Sequence, residues 1–445
     1  MSGACGIGLD LGTSGVRAAV LDATGRRLAA AAVRLPAPLQ VPDGGVEQQP
    51  QTWWEAAVSV LRQIAAAAAG CDAAALCVDG TSATLLLCEM DGRPLGPALM
   101  YNDSRARDEA AWVQAQAPPA SAARGATSSL AKLLHLRQRY TPNRPVLALH
   151  QADWIIGRLL GHFGDSDWNN ALKLGFDASA LCWPDWMQGL DLAPVSLPRV
   201  HAPGTRLGPI DTDVAALTGL PRQVRVCAGT TDSTAAVVAA GALQPGDAVT
   251  SLGSTLVLKI VAESPVTAPQ FGVYSQRLGD YWLVGGASNS GGAVLRQFFS
   301  NARIDALMPR IDPDSESGLD YYPLPAAGER FPLADPLLLP RMTPRPSDDA
   351  RFLHGLLEGI ARIERDGYRR LAELGAPPPR RVLSLGGGAR NERWTALRAR
   401  LLRIPVLAAP RQEAADGAAL LGLRGLTGAV PSGPSAGATG GQLVE

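Results

Sequence analysis

Four short stretches carry residue types that could do chemistry. The first reads GIGLDLGTSGV over 6–16. An apolar run ends on Asp10, and Gly12, Thr13, Ser14 and Gly15 make a turn beside it. Glycines let several backbone amides converge on one space, and hydroxyls add donors; phosphate oxygens need both. The second stretch, GTTDS over 229–233, places Asp232 and Ser233 just after an apolar run at 224–228. The third, SLGST over 251–255, repeats the Leu-Gly-hydroxyl-hydroxyl order of the first with Gly253, Ser254 and Thr255. The fourth, GGGARN over 386–391, offers Gly387 and Gly388 as a platform for a flat ring or ribose. Asn391 could bond to that group and Trp394 could wall it. Phosphoryl transfer to an alcohol asks for a carboxylate that takes the hydroxyl proton and for a metal held near the phosphates. Asp232 and Asp10 suit that division of labour. Each stretch also has a plain structural reading: hairpin turns for the first and third, helix caps for Asp232 and Asn391. Neither a G-x-x-x-x-G-K-[ST] loop nor a convincing G-x-G-x-x-G pattern occurs.

The elements that must position these residues are legible in outline. Residues 6–11, 16–21 and 27–35 read as an antiparallel meander, with a turn signal at 22–25. Residues 51–69 read as a helix, alanine-rich and free of Gly and Pro. Strands are expected at 74–79 and 84–90, helices at 128–139 and 151–161, a strand at 224–228 and a small-residue helix at 234–240. The opening pattern then recurs: strands at 249–252 and 256–261 flank Gly253-Ser254-Thr255, just past the middle of the chain. A recurrence in matching strand contexts suggests two related halves. Later come a helix at 352–374, a strand at 381–385, a helix at 391–402, a strand at 404–407 and a helix at 413–423. Asp79-Gly80-Thr81-Ser82 and Tyr101-Asn102-Asp103 place polar residues just after apolar runs, where pockets and ordinary turns are both common.

Composition narrows the partners. The 445 residues carry 41 basic and 41 acidic side chains, so no basic excess points to nucleic acid or an anionic membrane. Apolar residues make up 46%, enough for a large core. No apolar stretch reaches the roughly 20 residues a bilayer requires, and the N-terminus lacks a signal-like segment. The six cysteines form no C-x-x-C pair and read as free buried thiols. These features favour a cytoplasmic protein with small-molecule partners. The five histidines are scattered and are given no metal role, and Trp53 and Trp54 are assigned to the core or an interface.

DLGTSG, GTTDS, SLGST and GGGARN, in this order, resemble the FGGY-type carbohydrate kinases, up to about residue 425. The resemblance implies an α/β fold of two ribonuclease-H-like domains, shared with actin and the seventy-kilodalton heat-shock ATPases, with nucleotide and sugar in the cleft between them. It implies an N-terminal domain over 1–240 with the sugar site and first phosphate turn, completed by the helix near 413–425. A C-terminal domain over 241–412 would hold the nucleotide. Separately, the Gly/Ser/Pro-rich composition from Pro431 on reads as a disordered tail over 431–445. Carried over by position, Asp232 matches the catalytic base and Asp10 the acid near the metal, reached through water; Asp232 is a further candidate for the metal. Asp10, Ser82, Asp232 and Ser233 match sugar contacts. Gly12, Thr13, Ser14, Gly253, Ser254, Thr255, Gly387, Gly388, Asn391 and Trp394 match the nucleotide site. ATP and Mg2+ are the implied cofactors.

DGTSATLLLC (79–88), NALKLGF (170–176), AGTTDSTAA (228–236), VTSLGSTLVLK (249–259), GGASNSGGAVLRQFF (285–299) and SGLDYYPLPAAGERFP (317–332) resemble the cyanobacterial and plant D-ribulokinase branch, once described as xylulokinase-like. Typical bacterial xylulokinases carry Gly-Gln-Met-His-Gly where this chain has Asp79-Gly80-Thr81-Ser82-Ala83. The expectation is therefore ATP-dependent phosphorylation of a ketopentose, D-ribulose first, with D-xylulose as the alternative acceptor. An actin- or chaperone-like ATP switch and a sugar-sensing protein without transfer are the alternatives from other classes. Oligomeric state is left open.

Overall fold

The computed structural model describes residues 3–141 and 143–427. The tail expected over 431–445 lies outside the described residues. The chain forms two compact units. One holds the described residues up to Ala117, Ser121–Gly241 and those from Glu413 on; the other holds Pro118–Ala120 and Ala242–Gln412.

In the first unit a six-stranded sheet centres on Ala4–Leu11. This strand pairs antiparallel with Gly15–Asp22 on one side and parallel with Ala73–Gly80 on the other. Arg27–Arg34 extends the first side; Arg225–Thr231 and Arg206–Pro209 extend the second. The alternation G-I-G-L of the first strand has a two-sided cause. Ile7 and Leu9 are fully buried in the core with Trp53 and Leu61 of the helix Pro50–Ala69. Gly6 and Gly8 face the helix Ala414–Thr427, whose backbone lies so close that a Cβ on Gly8 would come within 1.8 Å of the Ala415 carbonyl oxygen. The same helix crosses the helix Asp232–Ala240 through Gly417, where a Cβ would sit 1.8 Å from the Ala235 carbonyl oxygen. Only glycine permits these approaches. They seat the Asp232 helix and the first strand against one shared element. Arg27 clamps that element from outside by a bidentate pair with the buried Asp416. A second six-stranded sheet in this unit includes Leu85–Glu89 and Val146–His150.

The second unit repeats the central arrangement. Asp247–Leu252 pairs antiparallel with Leu256–Ala262 and parallel with Arg381–Leu385. Tyr281–Ser288 lies beyond Leu256–Ala262, and Val406–Ala408 beyond Arg381–Leu385. In both units, then, a hairpin from the central strand builds one side and a parallel strand joins the other. The helix Asp349–Glu373 covers this sheet with Leu353, Leu356 and Ile360 fully buried.

Several boundaries differ from expectation. The strand read as 224–228 runs to Thr231, and the helix begins at Asp232 rather than 234. A bulge between Cys227 and Thr230 allows the extension: Gly229 passes so close to the neighbouring strand that a Cβ would meet the Val78 carbonyl oxygen at 2.3 Å. The three glycines of 386–388 lead first into a short 3-10 turn, Gly387–Arg390, before the helix Glu392–Leu402. The cysteines are free, but Cys182 is exposed and Cys71 only half-buried, so the expectation of uniformly buried thiols fails at these two loop-side positions. Trp53 and Trp54 are core residues, as expected.

Candidate active site

The strand ends of the first unit gather carboxyl groups. Parallel pairing sets Asp10 opposite Asp79, and Thr230 opposite Asp79 on the other flank. Asp232 follows as the first residue of its helix. Asp79 is fully buried, and neither of its oxygens receives a hydrogen bond from a donor group. Burial pushes its carboxyl well above the ordinary range, and the charges of Asp10 and Asp232 push it further. Burial also raises Asp10, while its contacts with Asp79 and Arg17 pull the other way. Two carboxyl groups in contact do not both ionise cheaply. Asp79 is therefore the one held more strongly toward its neutral form, while Asp10, also raised overall by burial, keeps the Arg17 guanidinium at 3.2 Å. Arg17 reaches Glu413 at 3.6 Å on its other side.

Two turns frame this cluster. The hairpin turn after Asp10 closes with the Gly12 amide donating to the Gly15 carbonyl at 3.0 Å. The turn at 81–84 closes with the Thr84 amide donating to Thr81 at 3.3 Å, and Gln151 Oε1 accepts from both the amide and the hydroxyl of Thr81. Ser82 sits half-buried in that turn, followed by Ala83 at φ 70°. Asp232 is not the helix cap: Thr231 holds that position, and the Asp232 carboxylate accepts from the adjacent Ser233 amide at 2.6 Å.

The second unit carries a pocket of about 750 Å³ lined by Gly253, Ser254, Gly387, Gly388, Asn391 and Trp394, among others. Glycine is required at its floor. Gly386 has φ 83° and lies against the Leu252 backbone, and a Cβ on Gly388 would meet Trp394 at 2.4 Å. Asn391 caps the helix Glu392–Leu402, its Oδ1 accepting from the Trp394 amide at 3.0 Å. The structural reading of Asn391 thus holds for its oxygen, while its Nδ2 donors and the oxygen's second lone pair could still serve a ligand. Arg296 donates to the Ser254 hydroxyl at 2.7 Å, placing a guanidinium beside the second glycine turn.

Comparison with known proteins decides the family. The model of the FGGY family of carbohydrate kinases, N-terminal domain, matches residues 5–239, and that of its C-terminal domain matches 248–426. The chain belongs to this FGGY family. A xylulose kinase from Streptomyces coelicolor is 30% identical over 442 residues, covering 95% of this chain and 88% of that protein. One from Escherichia coli is 28% identical over 411 residues, covering 87% and 83%. The crystal structure of xylulose kinase from Rhodospirillum rubrum superposes with a TM-score of 0.81 at 26% identity, over 95% of this chain and 90% of that one. The FGGY fold of two α/β domains is thereby shown.

Within this FGGY chain the expected site residues fall into two sets. In the first unit Asp10 and Asp232 both act on Asp79, Ser233 adjoins Asp232, and Gly12, Thr13 and Ser14 form the turn just beyond Asp10. Ser82 belongs to the turn after Asp79. In the second unit the pocket collects all the expected residues except Thr255, whose backbone instead packs against Gly291. Asp103, considered for a pocket, is fully buried and bonded to Arg105 and the Val46 amide, which makes it structural. Sequence reasoning offered Asp79 only as a possible pocket residue, not as a member of a carboxyl cluster, and gave no role to Arg296 or Gly292. The register of two parallel strands reveals Asp79; the GGAVLR run after a strand is the available signal for the other two. Among the described residues no group of three His, Cys, Asp or Glu side chains could hold a metal ion. A magnesium ion held mainly by phosphates and water needs only one or two carboxylates nearby, and the Asp10 carboxyl group suits that outer position.

Proposed function

We propose that this protein transfers the terminal phosphoryl group of ATP to a ketopentose, with D-ribulose the preferred acceptor. The observation that carries the reading is the carboxyl cluster of Asp10, Asp79 and Asp232 at neighbouring strand ends, in a chain of a sugar-kinase family. In this reading Asp232 takes the proton of the sugar's terminal hydroxyl as that oxygen attacks the terminal phosphorus of ATP; the P–O bond to ADP breaks and ADP leaves. Amides and hydroxyls of Gly12, Thr13 and Ser14, and of Gly253, Ser254 and Thr255, offset phosphate charge. Gly387, Gly388, Asn391 and Trp394 receive the nucleoside. Asp10 would hold a magnesium ion through water, with Asp232 a second candidate, and the ion would neutralise charge on the phosphates. Asp10, Ser82, Asp232 and Ser233 bond the sugar.

D-Ribulose is favoured by the 79–83 segment. A buried carboxyl at Asp79 and a hydroxyl at Ser82 stand where the resemblance gives typical xylulokinases a glycine and a histidine. D-Xylulose is the second reading, favoured by the names of the relatives. The two sugars differ in one hydroxyl orientation, and a site that bonds one hydroxyl can reject its epimer strongly. Coupled ADP release over D-ribulose, D-xylulose, L-ribulose, glycerol and no sugar tests the reading. A response led by D-ribulose supports it. A D-xylulose lead keeps the chemistry and changes the acceptor. ADP release indifferent to sugar would favour an ATP switch instead.

A further inference from the structure

Lys132 is a lysine with no exposed surface, on the helix Ser129–Tyr140. Burying an ammonium is costly unless its donors are all used. Here three carbonyl oxygens take them: Ala83 at 2.8 Å, Met100 at 2.7 Å and Tyr101 at 3.3 Å. An ammonium has three donors and no acceptor, so the match is complete. The acceptors belong to two different segments. Ala83 closes the turn that carries Ser82 and follows Asp79. Met100 and Tyr101 begin the turn at 100–103, itself held by the Asp103 amide donating to Met100 at 3.0 Å.

Ala83 adds a second observation. Its φ of 70° is left-handed, a conformation that costs a residue with a Cβ about 1 kcal/mol or more and persists only where surroundings over-determine it. The Lys132 bond to its carbonyl and the Gln151 bonds to Thr81 supply that constraint from opposite ends of the turn.

We propose that Lys132 is a positioning residue for the sugar site, tying the Ser82 turn to the 100–103 turn so that Ser82 is held ready for substrate. Its role rests on the assignment of Ser82 to the sugar. Lys132 touches no reacting atom; it acts through the two turns it joins. Arginine cannot replace it, because a planar guanidinium does not converge on three carbonyls as an ammonium does.

The test combines two readouts on Lys132→Met and Lys132→Gln. Hydrogen exchange read without any substrate should show protection of 81–84 and 100–103 falling together in Lys132→Met, with 10–17 unchanged. In steady state, KM for D-ribulose should rise at least tenfold in Lys132→Met and severalfold in Lys132→Gln, with KM for ATP within twofold of wild type. Lys132→Gln, which keeps a donor amide but cannot satisfy all three carbonyls, keeps the experiment decisive where Lys132→Met fails to fold. Unchanged exchange in both segments overturns the tether. Loosened segments with unchanged sugar KM, in a wild type that phosphorylates ketopentoses, overturn the positioning role. A wild type that phosphorylates no ketopentose removes the functional reading and the positioning role together, while the exchange result still judges the tether.

Discussion

Asp10 and Asp79 stand opposite one another on adjacent parallel strands, one carboxyl bonded to Arg17, the other fully buried and pushed well above the ordinary carboxyl range by that burial. Environment alone sets these two chemically identical groups apart: Asp79 is raised more strongly, and Asp10 has the guanidinium beside it. Asp79→Asn retains the shape and removes the titrating carboxyl. Sugar kcat/KM should fall at least tenfold while KM for ATP stays within twofold and thermal stability is not lowered. Steady-state kinetics with each substrate varied in turn, alongside thermal unfolding, checks this.

Asp232→Asn should lose about 10²–10⁴ of phosphoryl transfer, the usual worth of a positioned general base. Nucleotide and sugar affinity should change by no more than a few-fold, because the amide keeps the volume and an acceptor oxygen. Isothermal titration with each ligand, set beside turnover, separates the two effects.

Gly388→Ala should weaken nucleotide binding at least tenfold and leave sugar affinity unchanged. The added Cβ would meet Trp394 at 2.4 Å and Leu252 at 2.9 Å, so the pocket wall must shift. Titration with ADP reads the loss directly.

Much of this was legible beforehand. The hairpin around Gly12 and its repeat around Gly253 follow from local signals, apolar alternation and turn glycines. So does the 391–402 helix, whose Asn391 cap is a local bond. What failed to show depends on distant partners. Asp79 looks like the end of one strand until the register with 4–11 sets it beside Asp10. Lys132 looks like a polar helix residue until segments some 30 and 50 residues away converge on it. Gly6 and Gly8 read as strand residues of no special use, because the helix that needs their missing side chains lies at the far end of the chain.

Asp167 makes the first unit sensitive to pH. Burial, reinforced by the charge of Asp153, pushes its carboxyl up to about 7 against the pull of bonds from Asn169 and Asn170. The folded state therefore keeps a proton that the unfolded chain releases near 3.8. Between these values the folded state binds more protons, so stability falls as pH rises, by at most about 1.4 kcal/mol per pH unit. Urea unfolding at several values from about pH 4 to pH 7 should show that loss in wild type and a flatter profile in Asp167→Asn.

Arg398 and Glu364 form a bidentate pair with both side chains fully buried, and Ser384, Thr250 and Tyr368 complete the network. Arg398→Met leaves Glu364 buried without its counter-charge and should cost about 3–5 kcal/mol. Denaturant titration reads this as a lower midpoint at constant slope.

The central claim is sugar-dependent phosphoryl transfer with D-ribulose preferred. Its most direct measurement is the fate of the terminal phosphate of radiolabelled ATP in an equimolar mixture of D-ribulose and D-xylulose, with the products separated. Label is expected chiefly on D-ribulose 5-phosphate. Label chiefly on D-xylulose 5-phosphate would contradict the acceptor, and label only in inorganic phosphate would contradict the kinase itself.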